Sequence, residues 1–331
     1  MLIVKKKNTI EPKHKRAKYA DGVCAKKFKL NGVKKLMIVG MFPNVQETYP
    51  NLMLMLNELD LSGVDLTMCA DIKLLLTFEG KQCAGCTHNC IICDGTTPWT
   101  GKAKLLTVGD LKANHEAYVQ AGEKKKEAAT YKNVVNPPLI AAPDDTLLID
   151  LVGIPELHCL TGICVKSLDY LEKLITATGQ DGEAFIKHFL HKENIRRSNQ
   201  RGGKCMEGNQ AMLLLKRAGN LINYAGVQDD DVLETINNVI NVLLLFKIVV
   251  DSCFGVKLDL GYKSAIENFC AKYRELPGIT YPPKFHLVEA HITEFLDRHG
   301  DGSQGLGVWS EQAMESCHSD FKKFWSQVVV D

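Results

Sequence analysis

Apolar positions fall into two regimes along the chain. Before residue 70 they come as short runs closed by glycine or polar residues: Leu36, Met37, Ile38 and Val39 before Gly40, and the run 64–69 ahead of Asp71. Short apolar runs bounded by turn-formers predict buried strands. Between them Leu52, Leu54, Met55, Leu56 and Leu59 recur at helical spacing, a further helix is predicted over 72–79, and a third strand over 89–93. Strand, helix, strand order is α/β in character, and ligands in open α/β sheets bind beyond the carboxyl ends of the strands. Asp71 stands just past such an end.

From about residue 110 to 300 the pattern turns helical. Segments 147–151, 168–177, 183–190, 210–218, 230–253 and 261–273 carry apolar residues at helical intervals with few β-branched alternations. Pro137-Pro138 and Pro282-Pro283 break the pattern, because proline restricts its own backbone and that of the residue before it. After the second pair, 285–296 is predicted as a helix starting near His286, and 310–325 as a closing helix with Ser310 as its N-cap. The apolar run 239–250 is interrupted by Asn241 and Lys247 and falls short of the ~18–20 residues of a membrane span, so a buried helix is expected and no membrane.

Composition adds bounds rather than a function. An apolar fraction of 45% over 331 residues supports a packed core in two domains, or in one domain with a large insertion. The net charge of +1 gives no bias towards nucleic acid, although basic clusters occur, among them Arg196, Arg197, Arg201 and Lys204. Most such clusters are solvated surface. The first residues run Met-Leu-Ile-Val into Lys5, Lys6 and Lys7, which is not a secretory pattern, so the nucleus or cytoplasm is expected. In that setting the 12 cysteines read as thiols and metal ligands rather than disulfides.

Four cysteines crowd between 83 and 93, as Cys83-x₂-Cys86-x₃-Cys90-x₂-Cys93. A CxxC pair suits tetrahedral zinc, since two thiolates on one tight turn reach a single ion at ~2.3 Å. A local four-cysteine site is one reading. The other, preferred because the central gap is short, splits the site: Cys90 and Cys93 join His286 and His291, whose spacing fits paired histidine ligands when His286 lies at an irregular helix start. Cys83 and Cys86 are then buried reduced thiols. Asp71, followed far downstream by Glu311 or Glu315, could supply carboxylates to a catalytic magnesium or manganese, and helical periodicity does not choose between the two glutamates. Taken singly, Asp71 reads as a helix cap, and His158 as a core or capping histidine.

In order and spacing these residues resemble the catalytic core of the RAG/Transib recombinase and transposase superfamily, an RNase H-like fold interrupted by a helical, zinc-bearing insertion. Asp71 stands where that family has its second catalytic aspartate. Ile154-Pro155-Glu156-Leu157-His158-Cys159 and Gly208-Asn209 resemble segments of its insertion, and His286 to His291 the histidine half of its zinc site. Glu315, followed by Ser316 and then Phe321, resembles the final glutamate better than Glu311 does. The resemblance implies a basic tail over 1–33, a first part of the RNase H-like core over 34–110, the insertion over 111–304 and a closing core helix over 305–331. It implies structural zinc on Cys90, Cys93, His286 and His291, magnesium or manganese on Asp71 and Glu315, and DNA as partner; a homodimer stays one option, and the nucleus is expected with the cytoplasm as the alternative. The family's first catalytic aspartate has no counterpart here, Asp21 lying in a polar stretch without a strand pattern. A transposon-derived core with little nuclease activity is therefore expected, and a non-catalytic zinc-stabilised scaffold for DNA or protein is the alternative.

Overall fold

A computed structural model of the chain describes residues 3–6, 46–59, 66–82, 85–99, 103–198, 205–224 and 230–310. These residues are mostly helical. The helices run α1 (Tyr49–Leu59), α2 (Ile72–Phe78), α3 (Val108–Gln120), α4 (Leu148–Leu151), α5 (Glu156–Ala177), α6 (Gly182–Lys192), α7 (Gly208–Arg217), α8 (Asp230–Val249), α9 (Tyr262–Arg274), α10 (Pro283–His286) and α11 (Ile292–His299).

Helices α5, α7, α8 and α9 form the body, with α6 packed on α5. The stripe Ile236, Val239, Leu243 and Phe246 of α8 is fully buried, at the three- and four-residue intervals that put side chains on one helical face. Phe246 meets Phe269 of α9 with ring centroids 4.8 Å apart. Each such side chain contributes ~1.5–3 kcal/mol by leaving water. By length and composition the stretch Asp230–Phe254 could cross a membrane. Here its apolar stripe faces α5, α7 and α9, while Leu244 and Ile248 are exposed.

Strand is scarce, and the expected α/β core is corrected accordingly. Among the described residues there are two four-residue strands, β1 (Ile3–Lys6) and β2 (Leu66–Cys69), paired antiparallel with Ile3 opposite Cys69. The predicted strand over 36–40 lies outside the described residues. The one predicted over 89–93 is a turn that joins an extended partner at a single bridge, Cys93 to Leu105. Its Ile91 and Ile92 are both buried. Burial on both sides imitates a strand in sequence but arises here from a thiol-lined turn.

Helix α3 was not predicted as a separate element. It buries only Val108, Leu111 and Tyr118, too sparse a pattern to read as a stripe, and it starts on a capping box in which Thr107 and Asp110 exchange side-chain-to-backbone hydrogen bonds. Strand β2 extends the site geometry in another direction. Met68 bridges Val152 in parallel, and the Gly153 N–H donates to the Met68 carbonyl at 2.8 Å, fixing the end of β2 to the start of α5.

Candidate metal centre

The turn carrying Cys90 and Cys93 presents both sulfurs inward. The Ile92 N–H points at Cys90 Sγ and the Gly95 N–H at Cys93 Sγ, each at 3.4 Å. Amides two residues beyond each cysteine thus donate to its sulfur, which favours thiolate over thiol. Burial pushes the Cys90 thiol up, whereas a hydrogen bond from Cys90 draws the Cys93 thiol down.

The histidines arrive from a helix that changes pitch. His286 ends α10, and a π-turn spans Leu287–His291, with the Ile292 N–H donating to the carbonyl of Leu287. His286 lies within this helical run, so an irregular helix start is not what aligns the pair. The imidazole of His286 stacks on Trp99 at 4.2 Å, and Trp99 is held in turn by its Nε1–H donating to the Tyr281 carbonyl at 2.9 Å.

The two halves converge. Cys93 Sγ lies 3.1 Å from His286 Nε2 and 3.3 Å from His291 Nε2, Cys90 Sγ lies 3.4 Å from His291 Nε2, and the two Nε2 atoms are 3.1 Å apart. All four ligand atoms fall within 4.8 Å of one another, and all four residues are buried. A tetrahedral zinc with sulfur at ~2.3 Å and nitrogen at ~2.0–2.1 Å has ligand-to-ligand edges of roughly 3.3–3.8 Å. The four edges at 3.1–3.4 Å lie at or slightly inside that range, so the quartet fits such an ion. Four lone-pair donors facing one buried point call for a shared cation. Nδ1 of His291 is buried without a hydrogen-bond partner, so ligation through Nε2 leaves its N–H unsatisfied at a cost of ~1–3 kcal/mol that the metal bond must exceed.

Side chains that sequence reasoning missed support the quartet. Lys81 and Glu79 form an ion pair at 2.8 Å with both side chains fully buried, and Lys81 Nζ donates to the Cys90 carbonyl at 2.6 Å. Burial raises the Glu79 carboxyl to about 7, against the pull of Lys81. The pair straddles Gly80, whose φ of 73° and close approach to the Asn136 carbonyl exclude a side chain. On the histidine side, Arg274 of α9 grips Glu289 within the π-turn through two hydrogen bonds of 2.6 and 2.5 Å. A charged pair two residues apart, or 15 apart, has no distinctive signature in sequence.

The other predicted residues lie elsewhere or outside the described residues. Asp71 caps α2, its Oδ1 accepting from the Leu74 N–H at 2.8 Å, the ordinary role of an aspartate there. Glu311 and Glu315, and with them the second half of the magnesium or manganese site, lie outside the described residues, as do Arg201, Lys204 and Cys83. His158 is half-buried in the first turns of α5. A Cβ on Gly208 would sit 2.6 Å from Leu157 Cδ1, so the segment 154–159 meets Gly208-Asn209, which is not a turn but the start of α7. Arg196 is exposed and donates its backbone N–H to the Gln210 side chain, whereas the half-buried Arg197 has Nε and Nη2 without hydrogen-bond partners. Cys86 is half-buried with its sulfur against the Gln82 carbonyl and is not a member of the quartet.

No known family model matches the chain, and no curated protein matches it either.

Proposed function

We propose that the chain is a zinc-organised core of the DDE recombinase and transposase type, RNase H-like in origin, whose ancestral reaction was metal-dependent cleavage and transfer of DNA strands. The observation that carries this reading is the convergence of Cys90 and Cys93 with His286 and His291, about two hundred residues away. Chance cysteine and histidine pairs have no reason to meet at ligand distance. A second observation supports it. A Cβ on Gly153, the residue bonded to the end of β2, would lie 2.8 Å from Cys69 Sγ and 3.7 Å from Trp309 Cβ. Trp309 is therefore beside Cys69, which precedes Asp71 by two residues in sequence.

In this reading zinc on the quartet is structural: it joins residue 90 to residue 290 and supplies no chemistry. Asp71 and Glu315 would be the carboxylates of a magnesium or manganese site, and nuclear DNA would be the partner, met by basic side chains such as Arg196 and Arg197 at phosphates without sequence readout. The Asp71 carboxylate caps α2 through one oxygen, and a zinc-stabilised scaffold for DNA or protein without catalysis is the alternative to a working nuclease.

The test is a supercoiled-plasmid nicking assay in magnesium or manganese, run beside a binding titration over a range of salt. The expected outcome is no nicking above background, with DNA binding that weakens as salt rises. Nicking that Asp71→Ala and Glu315→Ala both abolish would establish an active nuclease instead. Absence of binding even at low salt would leave a protein partner as the scaffold's role.

A further inference from the structure

We infer that Arg274 and Glu289 are positioning residues of the metal centre, holding open the π-turn that lets two histidines five positions apart ligate one ion. The inference rests on the zinc reading of the quartet. In a regular α-helix five residues turn through ~500°, so His286 and His291 would point ~140° apart and could not share an ion. An i to i+5 turn takes up one extra residue and returns the second histidine to the face of the first. That is the observed arrangement, with the Ile292 N–H bonded to the Leu287 carbonyl and the two Nε2 atoms 3.1 Å apart.

A π-turn gives poorer backbone hydrogen bonding than the α-helix it interrupts and needs a reason to persist. Arg274 provides one from outside the helix. Its guanidinium bonds both carboxylate oxygens of Glu289, in the middle of the turn. The same guanidinium lies over the ring of Tyr281 at 4.6 Å and near that of Phe285 at 5.5 Å, which directly precedes His286. One planar cation thus fixes the residue before the first ligand and the turn before the second. The fork geometry is specific to arginine, since lysine is a point charge with no matching pair of donors.

The test uses the full chain and two readouts: zinc affinity by competition with a chromophoric chelator, and the ligand-field absorption of the cobalt(II) form, which reports tetrahedral geometry. Arg274→Met is expected to weaken zinc binding ~10- to 100-fold, the usual effect of removing a group that orients a ligand, and to distort the cobalt spectrum. Arg274→Lys should fall between, and the exchange Arg274→Glu with Glu289→Arg should recover most of the loss. Deleting Ala290 removes the extra residue and leaves the histidines four apart on one face of an α-helix. In that shortened chain Arg274→Met should change affinity by less than about twofold, the spread expected of independent sites.

Unchanged affinity in folded Arg274→Met protein overturns the proposal, and so does a deletion chain that loses zinc or stays as sensitive to Arg274→Met as the parent. If Arg274→Met fails to fold by itself, the comparison within the deletion background decides. A wild-type chain that takes up no zinc or cobalt would sink the zinc reading itself, which is a different failure from tight binding that ignores Arg274.

Discussion

Helix α8 and the segment 85–99 both bury apolar side chains in the same core, but they reach burial by different routes. Helix α8 pairs its backbone internally over 20 residues and needs neighbours only for its stripe. Segment 85–99 has no helix and one isolated bridge. Its polar backbone is satisfied in part by groups outside it, the Asp94 N–H by the Lys104 carbonyl, the His88 N–H by the Asn133 side chain and the Cys90 carbonyl by Lys81, and in part by the neighbouring sulfurs of Cys90 and Cys93. Local periodicity is enough to specify the first, although packing holds it. The second is stable only while groups far apart in sequence stay together, and the quartet is the tightest of those junctions.

The largest effect should come from taking the metal away. Structural zinc contributes on the order of 10 kcal/mol in peptides that cannot fold without it, and this site has the same donor set. Chelation or Cys93→Ser is expected to strip amide protection from residues 85–99 and 103–107 and from the turn between α10 and α11, while α8 and α9 keep theirs. Hydrogen exchange read by mass spectrometry checks it, and parallel loss in α8 would erase the contrast. The sign with pH follows from the ligands. The raised Cys90 thiol holds its proton in competition with a cation, so zinc uptake releases protons and affinity must rise as pH rises. Flat affinity between acid and neutral pH would argue that the thiols do not bind.

A smaller effect separates metal from its protein support. Lys81→Met leaves the Glu79 carboxyl in the core without its partner and is expected to cost ~3–5 kcal/mol in urea denaturation. Replacing both by methionine should recover most of that, because a buried ion pair repays little more than its own desolvation. The double variant still lacks the bond from Lys81 to the Cys90 carbonyl. Its zinc affinity should therefore remain below wild type when its stability does not. Equal recovery of both would mean that the lysine serves the core and not the turn.

Legibility in the sequence follows the same division. The stripe of α8 and the helices near 49–59, 183–190 and 261–273 were readable, because helical burial repeats every three to four residues and leaves a local trace. The quartet was readable for another reason: CxxC and paired histidines are chemically unusual, although nothing in the sequence required the two pairs to meet. What failed was the stretch 89–93, where Ile91 and Ile92 are buried by a turn and not a strand, and the cause of the histidine alignment, a π-turn that no periodicity reveals. Glu79, Lys81, Arg274 and Glu289 were not legible because charged residues are common, and only the fold distinguishes a buried pair from a solvated one.

The smallest effect bears on whether Asp71 belongs with the local elements or with the long-range ones. As the N-cap of α2, its side chain accepts the Leu74 N–H. Asp71→Ala should then cost ~1 kcal/mol, and Asp71→Asn only a few tenths, since asparagine caps as well as aspartate does apart from the charge that favours a helix N-terminus. A carboxylate that also holds a divalent cation obeys a different rule, because the amide keeps the cap but loses the cation. Thermal denaturation of wild type, Asp71→Ala and Asp71→Asn with and without manganese distinguishes the two. The expected ranking places asparagine next to wild type in both conditions. If manganese stabilises wild type while leaving Asp71→Asn untouched, the carboxylate charge is in use at a cation site as well as at the cap, and Asp71 joins the quartet among residues whose purpose is set by distant partners.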